Sequence, residues 1–325
     1  MVRDEIKKEI MRVVREKWPD VAVPDFSLSA PEYAAHGDYS SNIALVLAKT
    51  TKMSPAALAR EIALGMKGGW LSRTETAGPG FLNIFLSDKY YELLAAELAE
   101  RGSTFGRGKK RKEKIIIEYS SPNIAKPMGI HHLRSTVIGQ ALVNMYEFLG
   151  WRVLPMTFPG DWGTQFGSLI AAYKQWGTQE KMKKDPMGEM LALYVRFNAK
   201  AKEDSAYADV ARVEFKKLEA GDKENKKIWE WFRRESLRDF DRVYKRLGVK
   251  IAHVYSESFF EPMLASVIGD AIKSGVATKE KEGLVLVASL DATPPVLLQK
   301  TDGATLYITR DLAQMKFRRD KWQPD

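Results

Sequence analysis

The chain has 325 residues, 45% of them hydrophobic and 29% charged, enough to bury a real core and of a length that suits two domains. It contains no cysteine and four histidines, which excludes disulfides, thiolate zinc sites and cysteine nucleophiles and leaves little for metal chemistry. Lysine and arginine outnumber aspartate and glutamate by 51 to 42, a surplus that favours polyanionic partners, while the charged N-terminus and the lack of any bilayer-length apolar run predict a soluble, cytoplasmic protein with no membrane partner.

Residues 3–17 show helical periodicity through Ile6, Ile10, Val13 and Val14, and Pro24 breaks the short apolar stretch that follows. A second helix is expected over 42–49. Ser54 and Pro55 then supply an N-cap and a first helical residue of preset φ for a third helix over 56–66. In TAGPGFLNIFLS (76–87) a Gly-Pro-Gly turn leads into an apolar strand, and a helical pattern resumes over 88–101. These elements predict an α/β domain over 1–105. The run GRGKKRKEK (106–114) holds six basic residues and one acid, so 106–113 is expected to be a basic linker, either a solvated tether or a contact for RNA phosphates.

From Lys114 the pattern changes to a strand (KIIIEYS), a polar loop, and a helix over about 132–149 with Val137, Ile138, Ala141, Leu142, Met145 and Leu149 on one face. A second strand, WRVLPMTF, follows. Strand, helix, strand at this length predicts a right-handed crossover between parallel strands, with ligands beyond the strands' carboxyl ends. SSPNIAKPMGIHH and PGDWGTQFG would then share one edge. Residues 177–250 read as a charged helical insertion in which Trp229, Trp231 and Phe232 are core residues rather than nucleotide-stacking ones. The end of the chain suggests two strands (LVLVASL, PVLLQK), an Asp302-Gly303 turn, a third strand TLYI, and a helix starting over 309–311.

The loop after the first core strand has the parts of a nucleotide site: amides at a helix N-terminus, Lys126 for phosphate and His132 as donor, without P-loop spacing. Together EYSSPNIAKPMGIHHLRST (118–136) and GDWGTQFG (160–167) resemble the signature of the arginyl-tRNA synthetases, class I enzymes with a Rossmann-like parallel-sheet core, here over 114–325. In the first domain His36-Gly37-Asp38-Tyr39, Asn42-Ile43-Ala44 and AGPGFLNIFL (77–86) are similar to the family's additional N-terminal domain, which grips the tRNA D-arm. That implies tRNA contacts for Phe81 and Asn83, an aromatic face and an amide suited to an unpaired base; plain strand core is the alternative for Phe81. Tyr307 to Ala313, with Asp302-Gly303, resembles the arginine-binding segment and implies that Glu118, Asn123, Tyr307 and Asp311 surround the amino acid. Carboxylate and phenol oxygens suit a guanidinium's five rigid donors.

The resemblance implies ATP-dependent activation of L-arginine to arginyl-adenylate and its transfer to the 3′ end of tRNA(Arg), by a monomer. ATP would meet Gly129, His131, His132 and Lys126, with His132 and Lys126 as catalytic donors, and Mg²⁺ would travel with its phosphates; no protein metal site is implied. Two departures stand out. Gly129-Ile130-His131-His132 occupies the family's His-x-Gly-His motif, so one imidazole has moved two positions, and a histidine at 131 would clash with adenine or stack on it. The core is also expected to be incomplete at its C-terminal end, since the family adds further strands, a KMSKS-like loop and a helical domain. Both departures leave a tRNA-binding fragment or paralogue without aminoacylation activity as the alternative.

Overall fold

Helix α1 (Val2–Lys17) turns Ile6, Ile10, Val13 and Val14 inward, as their spacing predicts. The structure, a computed structural model, describes residues 2–280, 283–286, 296–301 and 303–325. The chain divides into two units, 1–106 and 107–325.

In the first unit α1 is followed by β1 (Leu28–Ser29), β2 (Tyr39–Ser41), α2 (Ile43–Thr51), α3 (Pro55–Gly65), β3 (Leu71–Ala77), β4 (Phe81–Leu86) and α4 (Asp88–Arg101). The strands form an antiparallel sheet in the order β1-β2-β4-β3. Ser54 caps α3 by accepting from the Ala57 N–H at 3.3 Å, and Ser87 caps α4 by accepting from Tyr90 at 3.2 Å. Leu82 and Ile84 of β4 close the core against α1, α2 and α3. Strand β3, LSRTETA, has no buried residue. An edge strand wet on both faces carries no apolar alternation, so periodicity gives no sign of it.

The second unit opens with β5 (Lys114–Glu118), α5 (Ile130–Phe148) and β6 (Arg152–Thr157), the expected parallel crossover, registered from Lys114 opposite Arg152 to Glu118 opposite Met156. After α6 (Thr164–Trp176), α7 (Gln179–Lys184), α8 (Pro186–Glu203), α9 (Ala206–Glu219) and α10 (Lys223–Leu247), the short β7 (His253–Val254) joins β6 in parallel. Helices α6 and α8 to α10 share a core in which Trp229 and Phe232 are buried and Trp231 packs at the margin, as expected. Then come α11 (Glu257–Phe260), α12 (Leu264–Lys273), an antiparallel sheet of β8 (Ala277–Glu280), β9 (Gly283–Leu286) and β10 (Val296–Lys300), and α13 (Tyr307–Trp322).

Three expectations need correction. The apolar stripe of α5 faces solvent: Val137, Ile138 and Met145 are more than half exposed, and Thr136, Gly139 and Val143 are buried instead. A side chain on Gly139 would collide with the Tyr119 ring, so helix and sheet approach too closely for bulky residues between them. TLYI is not a strand, because α13 already starts at Tyr307, its first turn held by Thr309, which bonds the Leu298 carbonyl at 2.5 Å through its hydroxyl. The basic run is not a free tether: Gly108 and Arg111 donate backbone bonds to Phe148 and Gly150, 2.9 and 2.7 Å long, while its basic side chains stay exposed. Residues 287–295 of the expected strands, and Asp302, lie outside the described residues.

Candidate active site

The loop that leaves β5 is held in an unfavourable backbone shape. Ser120 and Ala125 have φ of 57° and 61°, the left-handed region that residues with a Cβ seldom enter. Helix α10 secures both. Ser120 Oγ lies 2.9 Å from Tyr244 Oη, and the Ala125 N–H donates to Ser236 Oγ at 2.8 Å. Between them Asn123 pairs with Gly160 as a parallel bridge: the Ile124 N–H donates to the Gly160 carbonyl (3.0 Å) and the Gly160 N–H to the Pro122 carbonyl (3.2 Å). Any side chain at 160 would strike Asn123 Oδ1. The two loops therefore meet at one sheet edge, as the crossover predicts.

The second loop hangs on Asp161, which has no exposed surface. It accepts from Arg233 Nε at 2.9 Å and from the Ser258 N–H and Oγ, each at 2.8 Å, while its carbonyl accepts from Trp229 Nε1 at 2.8 Å. Beside it Glu257 accepts from the Trp162 N–H at 3.3 Å. Burial pushes the Glu257 carboxyl up to about 7, with Asp161 and Glu261 adding and Arg310 opposing. The folded state thus holds this proton more tightly than the unfolded chain does. Glu257 supports folding below its ordinary pKa of 4.5 and loses that contribution as pH rises through about 7. Glu257→Gln should match the parent's denaturant midpoint at pH 4.5 and be more stable by on the order of 2 kcal/mol at pH 8; equal stabilities at both pH values would refute this.

At the start of α5, His132 Nδ1 accepts the Gly129 N–H at 3.1 Å, so Nδ1 is unprotonated and the neutral ring carries its hydrogen on Nε2. Burial, then the neighbouring His131, lowers its pKa and keeps it neutral. The two imidazoles are 3.9 Å apart between centroids. Lys126 sits 4.6 Å from the centre of the Tyr194 ring.

Helix α13 brings in the remaining residues. Asp325 bonds both backbone groups of Lys114, at 3.0 and 2.8 Å, and Arg318 pairs with Glu118. The helix therefore runs antiparallel to β5. Tyr307, Asp311, Gln314 and Arg318 fall on one helical stripe, so Asp311, about 10 Å beyond Arg318 along the axis, projects past the strand's carboxyl end. The Asp311 side chain is exposed, yet partial desolvation and then the Glu118 charge raise its pKa, with Arg318 opposing. Tyr307 is exposed. Glu118 gives Oε2 to Arg318, a pairing that strand and loop patterns could not announce. The same holds for Tyr244, Ser236 and Arg233, which come from a helix more than 70 residues downstream of the loops they hold.

In the first unit Phe81 is exposed at the start of β4, not strand core, while Asn83 is buried and accepts from Ser40 Oγ at 2.9 Å.

Comparison with known proteins bears on this arrangement. Residues 94–325 match the family described as "tRNA synthetases class I (R), catalytic domain", and residues 1–86 match "Arginyl tRNA synthetase N terminal domain". An arginine–tRNA ligase of Fusobacterium nucleatum is 38% identical over 312 residues, 95% of this chain and 54% of that protein. One of Clostridioides difficile is 36% identical over 327 residues, 99% of this chain and 57% of that protein. The chain spans about half the length of the curated relatives it matches. The arginyl-tRNA synthetase structure of Plasmodium falciparum superposes with a TM-score of 0.78 at 24% identity, covering 98% of this chain and 56% of its own. That of Thermus thermophilus gives 0.72 at 21%, covering 98% and 53%; at such identities the likeness is one of fold. With both family profiles matched in order along the chain, and the two signature loops joined at the edge of a parallel sheet, the chain belongs to the arginyl-tRNA synthetases.

Proposed function

We propose that this chain carries the arginine- and ATP-binding centre of an arginine–tRNA ligase, which activates L-arginine and passes it to the 3′ end of tRNA(Arg) in the cytoplasm. The observation that carries the reading is the stripe of α13, which sets Asp311 and Tyr307 beyond the end of β5, on the side of the sheet where Asn123 and the α5 N-terminus lie. Asp311 has no hydrogen-bond or ion-pair partner among the described residues and suits the substrate guanidinium. Glu118 keeps Oε1 for the α-ammonium while Oε2 anchors α13; the Asn123 amide, packed on Gly160, adds a further polar group.

The arginine carboxylate then attacks the α-phosphate of ATP, and pyrophosphate leaves. Charge on the phosphate oxygens meets the His132 Nε2–H, the Ile130 and His131 amides at the start of α5, and Lys126. Mg²⁺ in this reading arrives on the nucleotide; among the described residues no group of three or more His, Asp or Glu could hold an ion. The exposed Phe81 and the basic side chains of 107–112 are the surfaces offered to tRNA.

The test is arginine-dependent ATP–pyrophosphate exchange, with and without tRNA(Arg), beside filter binding of the tRNA. Exchange with arginine and not with lysine is expected. Tight tRNA binding with no exchange under either condition would overturn the ligase reading in favour of a tRNA-binding module.

A further inference from the structure

The altered histidine loop is not a plain loss of one imidazole. Gly129 lies directly under the His131 ring: a Cβ at 129 would stand 2.8 Å from His131 Cε1 and 2.9 Å from Nδ1. The ring has folded back along the chain into the space that a side chain on residue 129 would enter. There it leans against His132, centroids 3.9 Å apart and planes tilted by 44°. Gly129 has two functions in this arrangement, since its N–H also fixes the His132 tautomer at 3.1 Å and its missing side chain admits His131.

Resting on the ligase reading above, we propose that His131 is the second imidazole of the nucleotide site, delivered from two residues downstream to the place above Gly129, so that glycine and histidine have exchanged positions in sequence while the imidazole keeps its position in space. Both rings stand at the N-terminal end of α5, where the Ile130 and His131 amides have no carbonyl to donate to within the helix, while those of His132 and Leu133 are taken by Gly129. His132 is partly buried and presents Nε2–H; His131 is exposed and can follow the phosphates as they arrive. The exchange must be reciprocal. A side chain at 129 would expel the 131 ring, and a glycine at 131 with a glycine at 129 would leave one imidazole fewer.

Three variants of the full protein test this, each read by the KM for ATP in arginine-dependent exchange and by the NMR titration of the His132 ring. Gly129→Ala is compatible with the backbone, which is extended at φ −90° and ψ 171°, so its effect reports the displaced ring rather than unfolding. Gly129→Ala and His131→Ala should each raise the KM for ATP by about tenfold, the worth of one charge-assisted hydrogen bond, leave the KM for arginine unchanged, and move the His132 midpoint upward because its neighbour has gone. Gly129→His with His131→Gly should return ATP use to within about threefold of the parent. Normal ATP use in both single variants, or a double variant no better than His131→Ala alone, overturns the inference while the ligase reading stands. A parent protein with no arginine-dependent exchange overturns the ligase reading and this role with it. A His132 midpoint that ignores His131→Ala refutes the ring pairing independently of any activity.

Discussion

Asp311→Asn should lower arginine-dependent pyrophosphate exchange by about two to three orders of magnitude, the loss expected when one partner of a partly desolvated, hydrogen-bonded charge pair is neutralised. The asparagine keeps the shape and one acceptor but no longer balances a guanidinium, and Glu118 cannot take over because Arg318 holds its Oε2 and the α-ammonium takes Oε1 in this reading. The KM for ATP should stay within about twofold of the parent, since the nucleotide groups lie on α5 and its preceding loop. A pH dependence accompanies this. Partial desolvation and the Glu118 charge raise the Asp311 pKa, so arginine affinity should fall with decreasing pH earlier than for an ordinary aspartate, and this phase should vanish in Asp311→Asn. Exchange within a few-fold of the parent would remove Asp311 from the arginine site.

Asp161→Ala should destabilise the second unit by about 2 kcal/mol or more, because a fully buried carboxylate is lost and its donors, the half-buried Arg233 among them, are stranded. Asp161 is fully buried, and its carboxylate receives three of the hydrogen bonds that hold the second loop: one from Arg233 of α10 and two from Ser258 of α11. Among the described residues, alanine leaves Arg233 with only a 3.3 Å bond to Ser256 Oγ. Trp229 donates to the Asp161 carbonyl and Trp162 follows it in the chain, so tryptophan fluorescence during denaturant unfolding reads the loss directly. Asp161→Asn, which retains acceptors for Ser258, should fall between the two. A midpoint for Asp161→Ala matching the parent would show that the loop is held by other means.

The alternation of apolar residues and the helix-start chemistry were legible wherever burial is one-sided. Ile6, Ile10, Val13 and Val14, the Ser54–Pro55 cap, and the β5–α5–β6 crossover are local patterns, and local patterns are what a linear reading can detect. The same rule misjudged α5, whose apolar residues suggest a buried face. Close approach to Tyr119 selects small residues instead, and that distance is set by the sheet rather than by the helix.

By itself, then, the sequence determined the family and the order of its two signature loops, and it offered Asn123, Lys126, His132 and Asp311 as candidates for the proposed site. What only the tertiary structure decided is which of those groups are free to act. Glu118 is half engaged by Arg318, His132 is set as a neutral Nε2–H donor by Gly129 and His131, and the strained Ser120 and Ala125 are secured by Tyr244 and Ser236. Apart from the local Gly129 and His131, these partners lie 111 to 200 residues away along the chain, beyond the reach of any periodicity, because a hydrogen bond or ion pair depends on distance in space and not on separation in sequence.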